Sequence, residues 1–153
     1  MTTFVKAARL HQWLKNVLVF VPLLASHKVL DLPSLMQSIV AFIAFGLCAS
    51  AIYLVNDLLD LESDRAHPRK RSRPFAAGSL SLLTGIAATP GLLLLSLVLS
   101  LVFLPPLFTL CLGGYLALTL AYSFSLKKKM AVDVIVLASL YTSRILAGAA
   151  AIS

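Results

Sequence analysis

The chain has 153 residues, of which 59% are hydrophobic and 12% charged, and its 13 Lys and Arg against 6 Asp and Glu give a net charge of +7. So few charges cannot clothe a water-exposed surface, which excludes an ordinary soluble domain. The positive residues flank apolar blocks, so the basic balance reports membrane topology and excludes nucleic acid as the partner.

The first apolar stretch runs from about Leu10 to Leu30 behind Lys6 and Arg9, and Lys15, Asn16, His27 and Lys28 interrupt it. Its unbroken core, Val17 to Ala25, has the size of a signal-peptide h-region. Pro22 lies inside it, however, and no small-residue cleavage pattern follows, so it is read as a first, imperfect membrane helix. Trp13 at its start has the character of an interface anchor. Four cleaner blocks follow, Leu35 to Leu54, Leu80 to Leu104, Leu107 to Phe124 and Met130 to Ala151. Each is long enough to cross a bilayer at about 1.5 Å per residue. The expected fold is all-α, a multi-pass transmembrane helical bundle of about five helices, with residues 1–153 forming a single membrane domain.

Turn residues mark the joints: Pro33 and Ser34 open the second helix, Pro68 and Pro74 bracket a basic loop, and Pro105-Pro106 makes an uncharged turn. Small residues inside helices, Gly46 with Ser50, Gly113-Gly114 and Ala147 to Ala151, predict close helix packing. Cys48 and Cys111 fall within apolar helices, where a thiol acts as a small hydrophobe, and no Cys/His cluster supports zinc or iron-sulfur chemistry. Arg65 to Arg73 lie between the second and third helices and Lys127 to Lys129 between the fourth and fifth. The positive-inside rule therefore puts the N-terminus and both basic loops on the cytoplasmic face of a bacterial plasma membrane. The last helix ends at Ala151-Ile152-Ser153 with no charged anchor, so the chain reads as cut short.

The chemistry concentrates on that face. In Asn56-Asp57-Leu58-Leu59-Asp60-Leu61-Glu62-Ser63-Asp64, helical spacing puts Asp57, Asp60 and Asp64 on one stripe and turns Glu62 away. Three carboxylates on one face repel one another, and Mg²⁺, which bridges carboxylates to substrate phosphates, is the natural occupant; a hydrated helix end is the plain alternative. The loop that follows, Arg65 to Pro74, brings Lys70, Arg71 and Arg73 beside the acids. Metal with Arg and Lys is a standard way to hold a diphosphate leaving group. The same charges also set topology and meet anionic headgroups. His67 either donates to phosphate or turns the loop before Pro68.

Other polar residues reach the same end. Tyr122 and Lys127 close the fourth helix, Asn56 heads the acidic segment, and Lys15 and Asn16 stand at matching depth, all as candidate phosphate contacts. In the last helix Asp133, Leu137, Tyr141, Arg144 and Gly148 share a stripe. Arg144 lies about 20 Å in from Met130, too deep to face lipid cheaply, so Asp133, Tyr141 and Arg144 are candidates to line a polar cavity or to pair internally.

These residues carry a resemblance. Asn56-Asp57-x-x-Asp60-x-x-x-Asp64, followed by Lys70, Arg73-Pro74 and Ala76-Ala77-Gly78, resembles the first Asp-rich motif and loop of the UbiA superfamily of membrane transferases. Tyr122 with Lys127-Lys128 is similar to that family's Tyr-x-x-x-x-Lys element. Gln12-Trp13-Leu14-Lys15-Asn16, His67-Pro68-x-Lys70-Arg71-x-Arg73-Pro74 and Tyr141-x-x-Arg144-x-x-Ala147-Gly148 look most like its decaprenyl-phosphate phosphoribosyltransferase branch. The resemblance implies a Mg²⁺-dependent transfer from phosphoribosyl diphosphate, a phosphorylated sugar donor, to a polyprenyl phosphate in the membrane lipid. Most other members move a prenyl group from a prenyl diphosphate to an aromatic or other acceptor. Members have about nine helices and a second Asp-rich motif. This sequence corresponds to the first half, to be completed by the absent half or by an oligomer, or else it is a non-catalytic membrane subunit.

Overall fold

The computed structural model describes residues 3–124 and 130–153, with side chains in the last helix described from 134 onward. Every regular element among the described residues is helical, without strands. A short α1 (Thr3–Ala7) leads into a 3₁₀ helix over Leu10–Phe20 and then α2 (Val21–Ala25). Four long helices carry the bundle: α3 (Leu32–Leu59), α5 (Leu82–Phe103), α6 (Pro106–Phe124) and α7 (Met130–Ala151). Between α3 and α5 lie the short α4 (Leu61–Ala66) and a 3₁₀ turn over Lys70–Ser72.

The four long helices are apolar enough to cross a membrane. Their outward faces carry large hydrophobes such as Leu83, Leu110 and Val134, exposed by 77%, 72% and 69%. A surface of that kind belongs in lipid, and the protein is an integral membrane protein.

The first apolar segment is shorter than the expected span to Leu30, because it stops at Ala25 and the chain turns through His27 at φ 55°. A 3₁₀ helix rises about 2.0 Å per residue against about 1.5 Å for α, so the two pieces together still extend about 30 Å. Asp31 then caps α3, accepting from the Ser34 amide at 3.1 Å and its hydroxyl at 2.5 Å. Those bonds favour the ionised form and hold its pKa below the ordinary carboxylate value.

α3 is the central post, packed against the 3₁₀ helix, α5, α6 and α7. Phe45 and Phe108 are fully buried in the main core. Small residues make the closeness possible. A Cβ on Gly46 would stand 2.6 Å from the Trp13 indole, and one on Gly148 would collide with the Val19 carbonyl. Trp13 thus has a partner that its sequence position did not reveal: its Nε1 donates to Ser50 Oγ at 2.9 Å, and Ser50 donates onward to the Ala8 carbonyl at 2.8 Å. Trp13 therefore rivets the N-terminal segment to α3. By contrast, Gly113 and Gly114 face open space among the described residues, so they form no seam within this chain. Cys48 and Cys111 are free thiols, Cys48 in the core, consistent with their hydrophobic role.

A second, smaller core of Ala7, Leu54 and Phe75, with Phe4, Leu58 and Leu80 around it, joins α1, α3 and the basic loop. It fixes two arginines that neither helix alone would place.

Candidate functional site

Asp57 sits just inside the end of α3, where the helix breaks at Asp60 with φ −90° and ψ 9°. The hydrogen-bond pattern runs on across the break, from the Asp60 amide to the Asn56 carbonyl at 2.9 Å and from the Asp64 amide to the Asp60 carbonyl at 2.8 Å. The helical register therefore survives, and Asp57 and Asp64 come to one side. Both are almost fully buried, at 2% and 1% exposure. Buried carboxylates persist only when paired. Arg73 Nη1 supplies the pairing, donating to Asp64 Oδ2 at 2.7 Å and to Asp57 Oδ1 at 3.3 Å.

A second cation comes from the N-terminus. Arg9, in the left-handed backbone region at φ 51°, donates to Asp57 Oδ1 at 2.6 Å and stacks over the Tyr53 ring with its guanidinium carbon 4.9 Å from the centroid. These groups border a cavity of about 180 Å³ lined also by Asn56, Asp60 and Tyr122. A second cavity of about 170 Å³ lies against it across Tyr53, Asn56 and Tyr122, and extends from Lys15 to Tyr141 and Arg144. Arg144, 6% exposed, donates from Nε to Asn16 Oδ1 at 2.9 Å and from Nη2 to the Tyr115 hydroxyl at 3.4 Å, while Nη1 meets the Leu140 carbonyl.

Residues 17–153 match the UbiA prenyltransferase family. The chain belongs to that family. It is 43% identical to the nodulation protein NoeC of Azorhizobium caulinodans over 97% of this chain and 48% of that protein. It is 39% identical to the decaprenyl-phosphate phosphoribosyltransferase of Mycobacterium tuberculosis over 96% of this chain and 50% of that enzyme. Against protein y4nM of Sinorhizobium fredii the identity is 46%, over 92% of this chain and 27% of that protein. The chain thus spans half or less of the length of these relatives.

Within this UbiA-family chain the sequence candidates fall into three groups. Asn56, Asp57, Asp60, Asp64, Arg73 and Tyr122 gather at the first cavity or its wall, and Lys15, Tyr141 and Arg144 line the second, with Asn16 bonded to Arg144 behind them. Lys70, Arg71 and His67 lie exposed on the loop, outside both cavities. His67 Nδ1 accepts from the Arg69 and Lys70 amides at 3.2 and 3.4 Å, which favours the loop-turning role. Glu62 is exposed on the far side of α4, as its spacing predicts. Lys127 and the side chain of Asp133 lie outside the described residues.

The donor set suits a hard, oxygen-seeking divalent cation. Asp57 and Asp60 line the first cavity, and Asp64 Oδ1 is buried without a hydrogen-bond partner among the described residues. Among the described residues, however, no three His, Cys, Asp or Glu groups already converge on one point, because the arginines occupy Asp57 and Asp64. A metal taken up here must share those carboxylates with Arg9 and Arg73 or displace them. Arg9, Tyr53 and Phe75 are the residues that sequence reasoning missed. Arg9 carried only its charge as a signal, and Phe75, 1% exposed just after Pro74, was legible as the one large aromatic in the loop.

Proposed function

We propose that this chain forms the diphosphate-binding part of a membrane phosphoribosyltransferase, with phosphoribosyl diphosphate as donor and a polyprenyl phosphate as acceptor. The site faces the cytoplasm in this reading, because the flanking positive charges lie at its end of the bundle. The observation that carries it is the meeting of Asp57 and Asp64 with Arg9 and Arg73 on one cavity. Acids and arginines side by side match a ligand that arrives as an anion with its own divalent cation. The activity for which the M. tuberculosis relative is named points the same way.

In this mechanism Asp57, Asp60 and Asp64 would hold Mg²⁺, which would supply charge neutralisation at the departing diphosphate. Arg73 and Arg9, released from the carboxylates, turn their forks to the diphosphate oxygens. The ribose C1–oxygen bond to diphosphate breaks with the electron pair leaving on diphosphate, and a lipid-phosphate oxygen forms the new bond to C1. That oxygen already carries charge, so no general base is required. Tyr53 and Tyr122, on the wall between the cavities, shield the reacting centre from water.

The family's description favours a second reading, transfer of a prenyl group from its diphosphate to an aromatic or other acceptor, with the same acids and arginines holding the leaving group. Membranes carrying the complete protein, Mg²⁺, radiolabelled phosphoribosyl diphosphate and polyprenyl phosphate decide between them. Lipid-extractable label is expected. Label that reaches product only from prenyl diphosphate and an aromatic acceptor overturns the first reading in favour of the second.

A further inference from the structure

We propose that the second cavity is the seat of the acceptor's phosphate head, with Arg144 and Lys15 as its counter-cations and Asn16, which accepts from Arg144, as the residue that orients the guanidinium. The inference rests on the transferase reading and deepens it. Its ground is the difference between the two neighbouring cavities. The first contains Asp57 and Asp60 and so calls for a ligand accompanied by a cation. The second contains Lys15 and Arg144 and no acid among its described lining residues, so it calls for a bare anion.

Arg144 is buried, and all of its described hydrogen-bond partners are neutral. It lies among the rings of Tyr115, Phe45 and Tyr141, at 5.2, 5.7 and 5.6 Å from their centroids. Aromatic faces and carbonyls moderate a buried guanidinium without neutralising it. Beside it Asn16, 1% exposed, has an Nδ2 with no partner among the described residues. Donors therefore outnumber acceptors at one dry place, and a phosphate monoester offers the oxygens to balance them.

Depth selects the source of that phosphate. Arg144 stands about 20 Å along α7 from Met130 at 1.5 Å per residue, well below the membrane edge. A free anion has no apolar handle to bring it there. A lipid phosphate keeps its tail in the hydrocarbon and turns only its head into the bundle, past Leu137 and Leu140 on the cavity wall. The shared wall of Tyr53, Asn56 and Tyr122 then sets the acceptor head next to the donor cavity.

The test is a binding measurement that needs no turnover. The complete protein in lipid nanodiscs is titrated with farnesyl phosphate, with farnesol and inorganic phosphate as comparison ligands. Phosphoribosyl diphosphate is titrated separately. Farnesyl phosphate is expected to bind about tenfold or more tighter than farnesol, as charge-assisted hydrogen bonds dictate. Lys15→Gln, on an exposed side chain and so harmless to folding, should remove about tenfold of that affinity and leave donor affinity in place. Arg144→Lys, which keeps the charge and loses the fork, should act in the same direction, with thermal unfolding reporting that the bundle is intact. Equal binding of farnesyl phosphate and farnesol overturns the proposal. So does wild-type affinity in Lys15→Gln, or inorganic phosphate competing as well as the lipid, which marks a free-anion site. Selective binding that depends on Lys15 without any phosphoribosyl transfer upholds the subsite and overturns the transferase reading alone.

Discussion

Arg9 reaches Asp57 across 48 positions of sequence, its guanidinium donating to Oδ1 at 2.6 Å. The same oxygen accepts from Arg73 at 3.3 Å, so two arginines share the carboxylate that the proposed Mg²⁺ requires. Arg9 is then a competitor for the metal before substrate arrives. Arg9→Gln should strengthen Mg²⁺ binding to the substrate-free protein by about fivefold, the equivalent of roughly 1 kcal/mol for a partly exposed ion pair. Calorimetric titration with Mg²⁺ reads this directly. A weaker Mg²⁺ affinity in the variant would mean that Arg9 organises the metal site and does not compete with it.

The basic loop divides into one arginine that enters the cavity and neighbours that do not. Arg73 is half-buried against Asp57 and Asp64, while Lys70 and Arg71 are exposed. Arg73→Gln is expected to raise the donor KM by about tenfold to a hundredfold, the range for a charge-assisted bond. Lys70→Gln and Arg71→Gln should change it by less than about threefold, as screened surface charges do. Equal effects at all three positions would show that the loop closes over the donor as a unit.

The bundle was legible because apolar length alone predicts membrane helices, and the blocks beginning at Leu80, Leu107 and Met130 match α5, α6 and α7 within two residues. The acidic stripe was legible because side-chain direction along a helix follows from spacing, and Asp57 and Asp64 do meet one arginine. Arg9 was not, since its reach to Asp57 depends on a left-handed residue and a packing cluster formed by Phe4, Ala7 and Phe75 from distant segments. The packing of Trp13 was not legible for a related reason: an aromatic at a helix start fits the membrane interface, and only the Gly46 groove and the Ser50 hydroxyl add its role against α3. The 3₁₀ form of Leu10–Phe20 also left no periodic signal distinct from an α-helix.

Those seams give a stability prediction. Gly46→Ala sets a methyl 2.6 Å from the Trp13 ring, and Gly148→Ala drives one into the Val19 backbone. Overpacking of this kind costs about 1–3 kcal/mol. Gly148 should suffer more, because a backbone carbonyl cannot swing aside as an indole can. Gly91→Ala, with open space around it, should be neutral or gain up to about 1 kcal/mol of helix propensity. Thermal unfolding in nanodiscs ranks the three, and a Gly148→Ala protein as stable as the parent would contradict the close approach of α7 to the 3₁₀ helix.

The last prediction separates the acids. Asp57 and Asp64 are buried toward Arg73, Asp60 lines the same cavity, and Glu62 is exposed away from it. If Mg²⁺ is held by the first three, Asp57→Asn, Asp60→Asn and Asp64→Asn each remove a charged oxygen ligand and should raise the Mg²⁺ concentration for half-maximal transfer by about tenfold or more. Glu62→Gln should leave it unchanged. Two further effects distinguish metal binding from simple structure. Asp57→Asn also removes the buried negative charge that pairs with Arg9 and Arg73, so it should lower the unfolding temperature in the absence of metal. Asp60 holds the turn between α3 and α4 through its backbone, whose amide donates to the Asn56 carbonyl and whose carbonyl accepts from the Asp64 amide, bonds that Asp60→Asn keeps, so that variant should disturb the Mg²⁺ dependence while the fold is retained. Measuring both quantities for all four variants therefore tests the assignment twice. An equal loss of Mg²⁺ dependence at Glu62 and at the three aspartates would remove the geometric basis for it, since only charge and not position would then matter.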